Sequence, residues 1–400
     1  MKPEPISETL FSLIFSSAAF MLIFQLFGFE KPASALFYLS FVLVALVWFF
    51  VSYRSFKKLD LLLLFIVAFS LVSILVSLGA DNSAISFEPF KKYIMFILAL
   101  AFFTAICKFS PNRNFRTMIH FLNSLLVLSF LFVYIFKKSE CYLYNGIESD
   151  YLVFGLDNPN KAAMFLLSLG MMELSGSFFA PETKNKLIHL ALFGVAFYFL
   201  LETGSRNSLL SMAAFVLLLI ATKIPFFKNM QKSRFFALSV SLWPLIFAAT
   251  YLLFVNNPAL KNALSFLAEE GKGIDSRVAV WQRALQIIFA NPVFGAYFKM
   301  NQLTGHGHMH NTHIDTGVSY GVFVLILVCA LLYLVIRKSA FEADEKSKSY
   351  FFAFCSMVIM GMGESAIFTG GFGIYIFAAE FLLLCKNKTP LERSVDYKWK

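Results

Sequence analysis

His306, His308, His310 and His313 crowd into one short stretch, GHGHMHNTHIDTG, of a 400-residue chain that has six histidines in all. A neutral imidazole, with its ordinary pKa of about 6.5, can take a proton from a hydroxyl at neutral pH, and Asp315 lies close enough in sequence to orient it. The same residues could instead gather a metal ion, although their alternate-residue spacing matches no standard zinc pattern. A polar loop with no chemistry is the third reading.

Arginine supplies the complementary chemistry, since its planar guanidinium holds a phosphate or carboxylate through two parallel N–H bonds. Arg206 lies in LETGSRNSLL, a tight turn in which Ser205 can cap the helix that follows. An arginine above the free amides of a helix start makes an anion site. The plainer alternative is a turn arginine that snorkels to headgroups or pairs with Glu202. Arg277 opens SRVAVWQRALQIIFANP, where Val278, Trp281, Leu285 and Ile288 recur at helical spacing, Ser276 can cap and Asn291-Pro292 ends the run. This predicts an amphipathic helix near 277–290 lying in a membrane interface, with Trp281 in the outer leaflet and Arg277 at headgroup depth. Arg283 projects from another face. Lys91 and Lys92, in FEPFKKYIMF, read as membrane-edge anchors, with Lys92 a third cation for the same anion.

These groups must be positioned by membrane helices. The chain is 58% hydrophobic and only 14% charged, and Phe occurs 51 times. Soluble domains are about one quarter charged, so no single core could hide this surplus and lipid must be the solvent for much of it. Apolar runs near 8–28, 33–53, 60–79, 92–107, 118–136, 159–179, 187–202, 206–222, 235–255, 315–336, 350–368 and 372–385 predict about twelve transmembrane helices. That excludes a soluble enzyme with one anchor. The acidic N-terminus lacks a small-residue cleavage site, so the first run reads as a retained helix.

The net charge of +10 would suggest nucleic acid in a soluble chain. Here it obeys the positive-inside rule, and no nucleic acid is expected. Most of the 34 Lys and Arg fall in alternate connections and the C-terminal tail, which puts both termini in the cytoplasm. The chain then divides into helices over 1–255, one large outer loop over 256–314, and helices with a cytoplasmic tail over 315–400. Arg206, Arg277, Lys92 and the histidines are all outside, where cations run against that rule and call for a function. Glu173, Glu364 and Glu380 would be costly inside lipid and could mark a proton or ion path, yet none has a cationic partner nearby in sequence. Five scattered cysteines, with only Cys141 in an outer segment, read as packing residues. No fixed-period repeat supports a transporter of obvious inverted halves.

TGSRNSLLS, SRVAVWQRALQIIFANPVFG and HMHNTHIDTGVSYG resemble, in order, three signatures of bacterial O-antigen ligases within the ligase and O-antigen polymerase superfamily. The specific part of the resemblance is confined to about 200–325. Gly321, eleven residues after His310, fits its glycine spacing, whereas Val324 stands where the pattern has Gly, Thr or Tyr. The resemblance implies an all-α, GT-C-like membrane fold with a large periplasmic loop. It implies His310 as the catalytic base and Arg206 and Arg277 as diphosphate ligands, with Lys92 a looser match. Asn311, His313, Asp315 and Trp281 are candidate supporting residues. The implied activity is inverting, metal-independent transfer, without a cofactor, of O-antigen from undecaprenyl diphosphate to lipid A-core at the periplasmic face of the inner membrane. An O-antigen polymerase using the same donor is the nearest alternative, and a lipid or solute transporter is the alternative of another class.

Overall fold

Hydrocarbon offers no water to backbone N–H and C=O groups, so an apolar chain must satisfy them internally, and this one does so almost wholly as α-helix. The computed structural model describes residues 4–54, 57–79, 87–144, 147–156, 158–255, 257, 274–297, 309–345, 347–364 and 374–386. Its helices are α1 (Glu4–Leu26), α2 (Glu30–Arg54), α3 (Lys58–Gly79), α4 (Phe87–Ile106), α5 (Arg113–Phe136), α6 (Pro159–Phe179), α7 (Thr183–Glu202), α8 (Arg206–Ala221), α9 (Arg234–Val255), α10 (Ile274–Ala290), α11 (Thr312–Glu342), α12 (Lys348–Met360) and α13 (Ile374–Leu384). A two-residue hairpin, β1 (Leu143–Tyr144) against β2 (Ile147–Glu148), interrupts the series between α5 and α6.

Every apolar run read from the sequence falls on one of these helices, and α10 is the helix expected in the long loop. Among the described residues eight helices are long and apolar enough to cross a membrane, or nine if α8 and the short helical stretch to Lys232, bent by 106°, form one span. Helix α12 has 13 residues and α13 has 11. Yet α12 runs from the end of the bundle where Lys348 meets Glu345 to the end where Asn207 bonds the Met360 carbonyl, and α13 finishes back at the first end, where the Cys385 carbonyl takes Ser347 Oγ. Both are buried against protein along nearly their whole length. Helices that are hydrophobic all round belong either to lipid or to a protein interior, and composition does not separate the two.

Helix α6 is the centre of the bundle, enclosed by α5, α7, α8, α12 and α13. Helix α11 packs on α3, α9 and α10, and α12 packs on α8 and α9. Large side chains such as Phe49, Leu75, Phe121, Ile135, Leu217, Leu253 and Ile326 point outward, a surface suited to lipid and unsuited to water.

Two of the three acidic residues flagged in the sequence lie inside the bundle and are satisfied there. Glu173 accepts from Ser124 Oγ at 2.8 Å and meets His189 Nδ1 at 2.6 Å, so it has a hydrogen-bonding partner on another helix. Glu380 accepts from Asn123 Nδ2 at 2.7 Å. At the end of the bundle where α11 finishes, several basic residues are tied into ion pairs: Lys108 with Asp60, Lys348 with Glu345 at 2.8 Å, and Lys386 with Glu342 at 3.9 Å.

Candidate functional site

The opposite end, where α11 begins, holds the residues with chemistry. Asn311 is the N-cap of α11, with an extended backbone and a side-chain oxygen that accepts from the amides of His313 and Ile314, each at 3.1 Å. Its Nδ2 donates to the carbonyls of Pro244 at 2.9 Å and Met362 at 3.1 Å. Asn alone among the good capping residues has both the acceptor and the two donors for this position. Pro244 interrupts α9, where it has no N–H for the preceding turn. Carbonyls of α9 around this position take donors from α11: Pro244 from Asn311, and Ser241 from His313 Nε2 at 2.7 Å.

These bonds give two of the candidate supporting residues their places. His313 is buried, and its Nε2 must carry a proton to bond a carbonyl, so it ties α11 to α9. Asp315 accepts from the Met309 amide at 2.8 Å, which fixes the backbone ahead of His310. The outer-leaflet placement of Trp281 is corrected. The indole is fully buried, with Phe247 and Tyr251 edge-on to its ring, and its Nε1 donates to the Met309 carbonyl at 2.8 Å. The apolar face of α10 thus packs on α9 and α11 instead of entering the outer leaflet. Ser276, expected to cap this helix, has its side chain outside the described residues.

His310 is therefore pinned on both sides, by Trp281 and Asp315 through Met309 and by Asn311 in its own right. Its backbone is left-handed, with φ of 49°, and among the described non-glycine residues only Phe154 shares that sign. Such strain persists where surrounding bonds over-determine the chain, and it concentrates at functional positions. The imidazole itself is 28% exposed.

A carboxylate faces it that the sequence did not single out for this role. The turn after α12, Gly361–Glu364, is stitched to the same region: Thr312 N donates to the Gly361 carbonyl at 2.9 Å, Thr312 Oγ1 to the Glu364 carbonyl at 3.1 Å, and Asn207 Nδ2 to the Met360 carbonyl at 2.8 Å. Glu364 Oε1 accepts from Asn160 Nδ2 at 2.9 Å and from Arg277 Nη2 at 3.4 Å, while Oε2 lies 3.5 Å from His310 Nδ1. Glu364 is 9% exposed against 38% for Arg277, so the carboxylate forms a floor beneath two more open groups. The available signals were an acidic residue after an apolar run on the outer side, and the polar start of α6 in DNPNKAA, which contains Asn160.

Arg206 is the first residue of α8 and is exposed. Ser205 occupies the N-cap position but bonds Ser208 Oγ at 3.2 Å instead of an amide, which corrects the expected cap. The Tyr151 ring fills the space above Gly204, 2.4 Å from where a Cβ would stand, and Glu202 accepts from Tyr142 at 3.4 Å. Burial pushes the nearby Cys141 thiol up to about 11, in keeping with a packing role. Asn207, next to Arg206, packs against Gly363: a Cβ there would lie 2.8 Å from the Asn207 amide and 3.1 Å from Arg277 Nη1. Arg206, Arg277 and His310 thus share one end of the bundle, joined through the 361–364 turn. Lys92 is exposed on α4 beside Tyr93, whose ring neighbours Tyr320 at 6.1 Å in a cluster with Phe96 and Tyr297.

The turn after α10 docks into a break in α11 at Gly321, which has φ of 87°. Ala296 N donates to the Val318 carbonyl at 2.7 Å and Val322 N to the Pro292 carbonyl at 2.8 Å. Among the described residues no three His, Cys, Asp or Glu gather into a group that could hold a metal. His306 and His308 lie outside the described residues, as do much of the 256–314 loop and the C-terminal tail. The arrangement can hold an anion on guanidinium groups beside an imidazole able to accept a proton.

No curated protein matches the chain. A family described as O-antigen ligase matches residues 191–329, a span that contains Arg206, Arg277 and His310 and stops short of Glu364. All-α, polytopic and apolar, the chain is similar over residues 191–329 to the O-antigen ligase family.

Proposed function

We propose that this protein is an inverting glycosyltransferase that moves O-antigen from undecaprenyl diphosphate to lipid A-core at the periplasmic face of the inner membrane. The observation that carries this reading is the meeting of Arg277 and His310 at one carboxylate, with the start of α8 and its Arg206 against the same turn. A lipid-linked donor leaves as a diphosphate, and charge develops on it as the anomeric C–O bond breaks. Arg206 and Arg277 would hold that diphosphate and offset the charge, the work a divalent cation does elsewhere. His310 would take the acceptor hydroxyl's proton as the oxygen attacks the anomeric carbon opposite the diphosphate, so that one displacement inverts configuration. The ion-paired basic end of the bundle supports cytoplasmic termini, which leaves His310 on the periplasmic side.

Purified protein reconstituted with undecaprenyl-diphosphate glycan and lipid A-core, with and without chelator, tests this. Turnover is expected in chelator, and none from His310→Ala or Arg277→Ala in protein that still inserts and accumulates. Wild-type turnover by either variant would remove that residue from the mechanism, and full activity of Arg277→Lys would reduce Arg277 to a point charge. The family match also covers polymerases. A deletion strain separates the two: loss of all O-antigen from lipid A-core means ligase, and one remaining repeat means polymerase.

A further inference from the structure

We propose that Glu364 is the positioning residue for His310, holding Nδ1–H so that Nε2 is left unprotonated toward the acceptor hydroxyl, and bearing the positive charge the ring gains during transfer. This rests on the reading of His310 as the base. Nδ1 is the ring nitrogen that faces Glu364, and Oε2 is the oxygen that faces it, at 3.5 Å. The other oxygen, Oε1, is already occupied by Asn160 and Arg277. At 3.5 Å the contact is an ion-pair distance and not a formed hydrogen bond, and Nδ1 is buried; catalytic hydrogen bonds are often long or poorly aligned before substrate binds and tighten only in the complex. Asp315, the carboxylate nearest in sequence, accepts from the Met309 amide, and His313 Nε2 bonds the Ser241 carbonyl. Glu364 is placed against the imidazole.

The carboxylate is also held where a positioning group must be. Its backbone carbonyl takes Thr312 Oγ1, its side chain takes Asn160 from the first turn of α6, and the turn that presents it is tied by Asn207 and Asn311. Three segments far apart in the chain thus fix this side chain and the turn that presents it. In the transfer step the acceptor O–H proton moves to Nε2, and Nδ1–H stays shared with Oε2 without leaving the ring. The glycan–phosphate bond breaks, the glycan–acceptor bond forms, and undecaprenyl diphosphate leaves.

A glutamine at this position separates the proposal from a structural role. With its carbonyl oxygen in the place of Oε1, where it can still receive Asn160 and Arg277, its NH2 faces Nδ1 and demands an acceptor there. The ring proton then moves to Nε2 and the base is blocked. Turned the other way, its NH2 meets two donors. Glu364→Gln is therefore expected to fold, with a melting temperature in detergent close to native, and to lose kcat by about a hundredfold or more while donor KM changes little. Glu364→Asp, which keeps acceptors at both oxygens, is expected to recover part of that kcat. Native kcat in Glu364→Gln, a loss confined to donor KM, or an Asp variant no better than Gln would overturn the proposal. If Glu364→Gln does not fold, the Asp variant decides alone: kcat lowered with donor KM near native supports the proposal, and native kcat or a rise in donor KM alone overturns it. His310→Ala in the same assay keeps the two levels apart. An active His310→Ala removes the base itself, whereas an inactive one beside an active Glu364→Gln removes only the role of Glu364.

Discussion

A Cβ on Gly321 would stand 2.2 Å from the carbonyl oxygen of Val293, a separation no side chain could survive. The relation is reciprocal, because a Cβ on Gly295 would come 2.6 Å from the Val318 carbonyl oxygen. The turn after α10 meets the break in α11 backbone to backbone, and this contact fixes the far end of the helix that carries Arg277. Gly321→Ala is expected to lose protein. The left-handed backbone alone costs about 1–3 kcal/mol with a side chain present, and the clash with a carbonyl adds to it. Accumulation in membranes and melting in detergent check this, and a native melting temperature would mean that the two backbones are not in contact.

How much of this was legible beforehand differs by level. Each helix could be read from its apolar run, yet what covers it could not, because α12 and α13 are as apolar as the lipid-facing helices although protein surrounds them. Trp281 was misplaced for the same reason: the spacing that marks an apolar face does not say whether lipid or α9 covers it. Arg206, Arg277 and His310 could be found because they fall in segments that the charge pattern of the rest of the chain assigns to the opposite side from its basic connections. Glu364 could not be given partners, since Arg277 is 87 residues away and Asn160 is 204. No local pattern spans such distances.

Trp281→Phe is expected to keep the ring packing and remove the donor to Met309. A buried carbonyl left without its partner costs about 1–3 kcal/mol, and here the looseness falls on the residue just before His310. Turnover should therefore fall while the protein still accumulates. Equal turnover in Trp281→Phe and native protein would show that the indole serves α10 alone.

Asn311 offers a test in which shape and hydrogen bonding disagree. Asp is nearly isosteric and caps helices well, but its second oxygen would face the Pro244 and Met362 carbonyls in a buried place, an uncompensated charge worth at least about 3 kcal/mol. Ser keeps the capping oxygen and leaves those carbonyls without a donor but also without a repelling charge. Asn311→Ser is expected to melt above Asn311→Asp. The reverse order would mean that only the cap matters and that the two donated bonds are incidental.

Gly363 gives the converse of Gly321, because what its missing Cβ would strike is side chain and not backbone. The Asn207 amide and Arg277 Nη1 are the atoms in the way, at 2.8 and 3.1 Å. The Asn207 amide is the nearer and must shift against its bond to Met360, while Arg277 need give only a few tenths of an ångström. Gly363→Ala should then lose some stability and displace the guanidinium slightly from its place beside Glu364. Misplacing a group that positions substrate lowers the rate, and the loss should appear chiefly in use of the lipid-linked donor. Donor titrations on Gly363→Ala, read beside its melting temperature, distinguish the cases: weaker donor use in a folded protein locates Arg277 on the donor, and an unstable protein with native donor KM would mean that the contact at Gly363 serves packing alone.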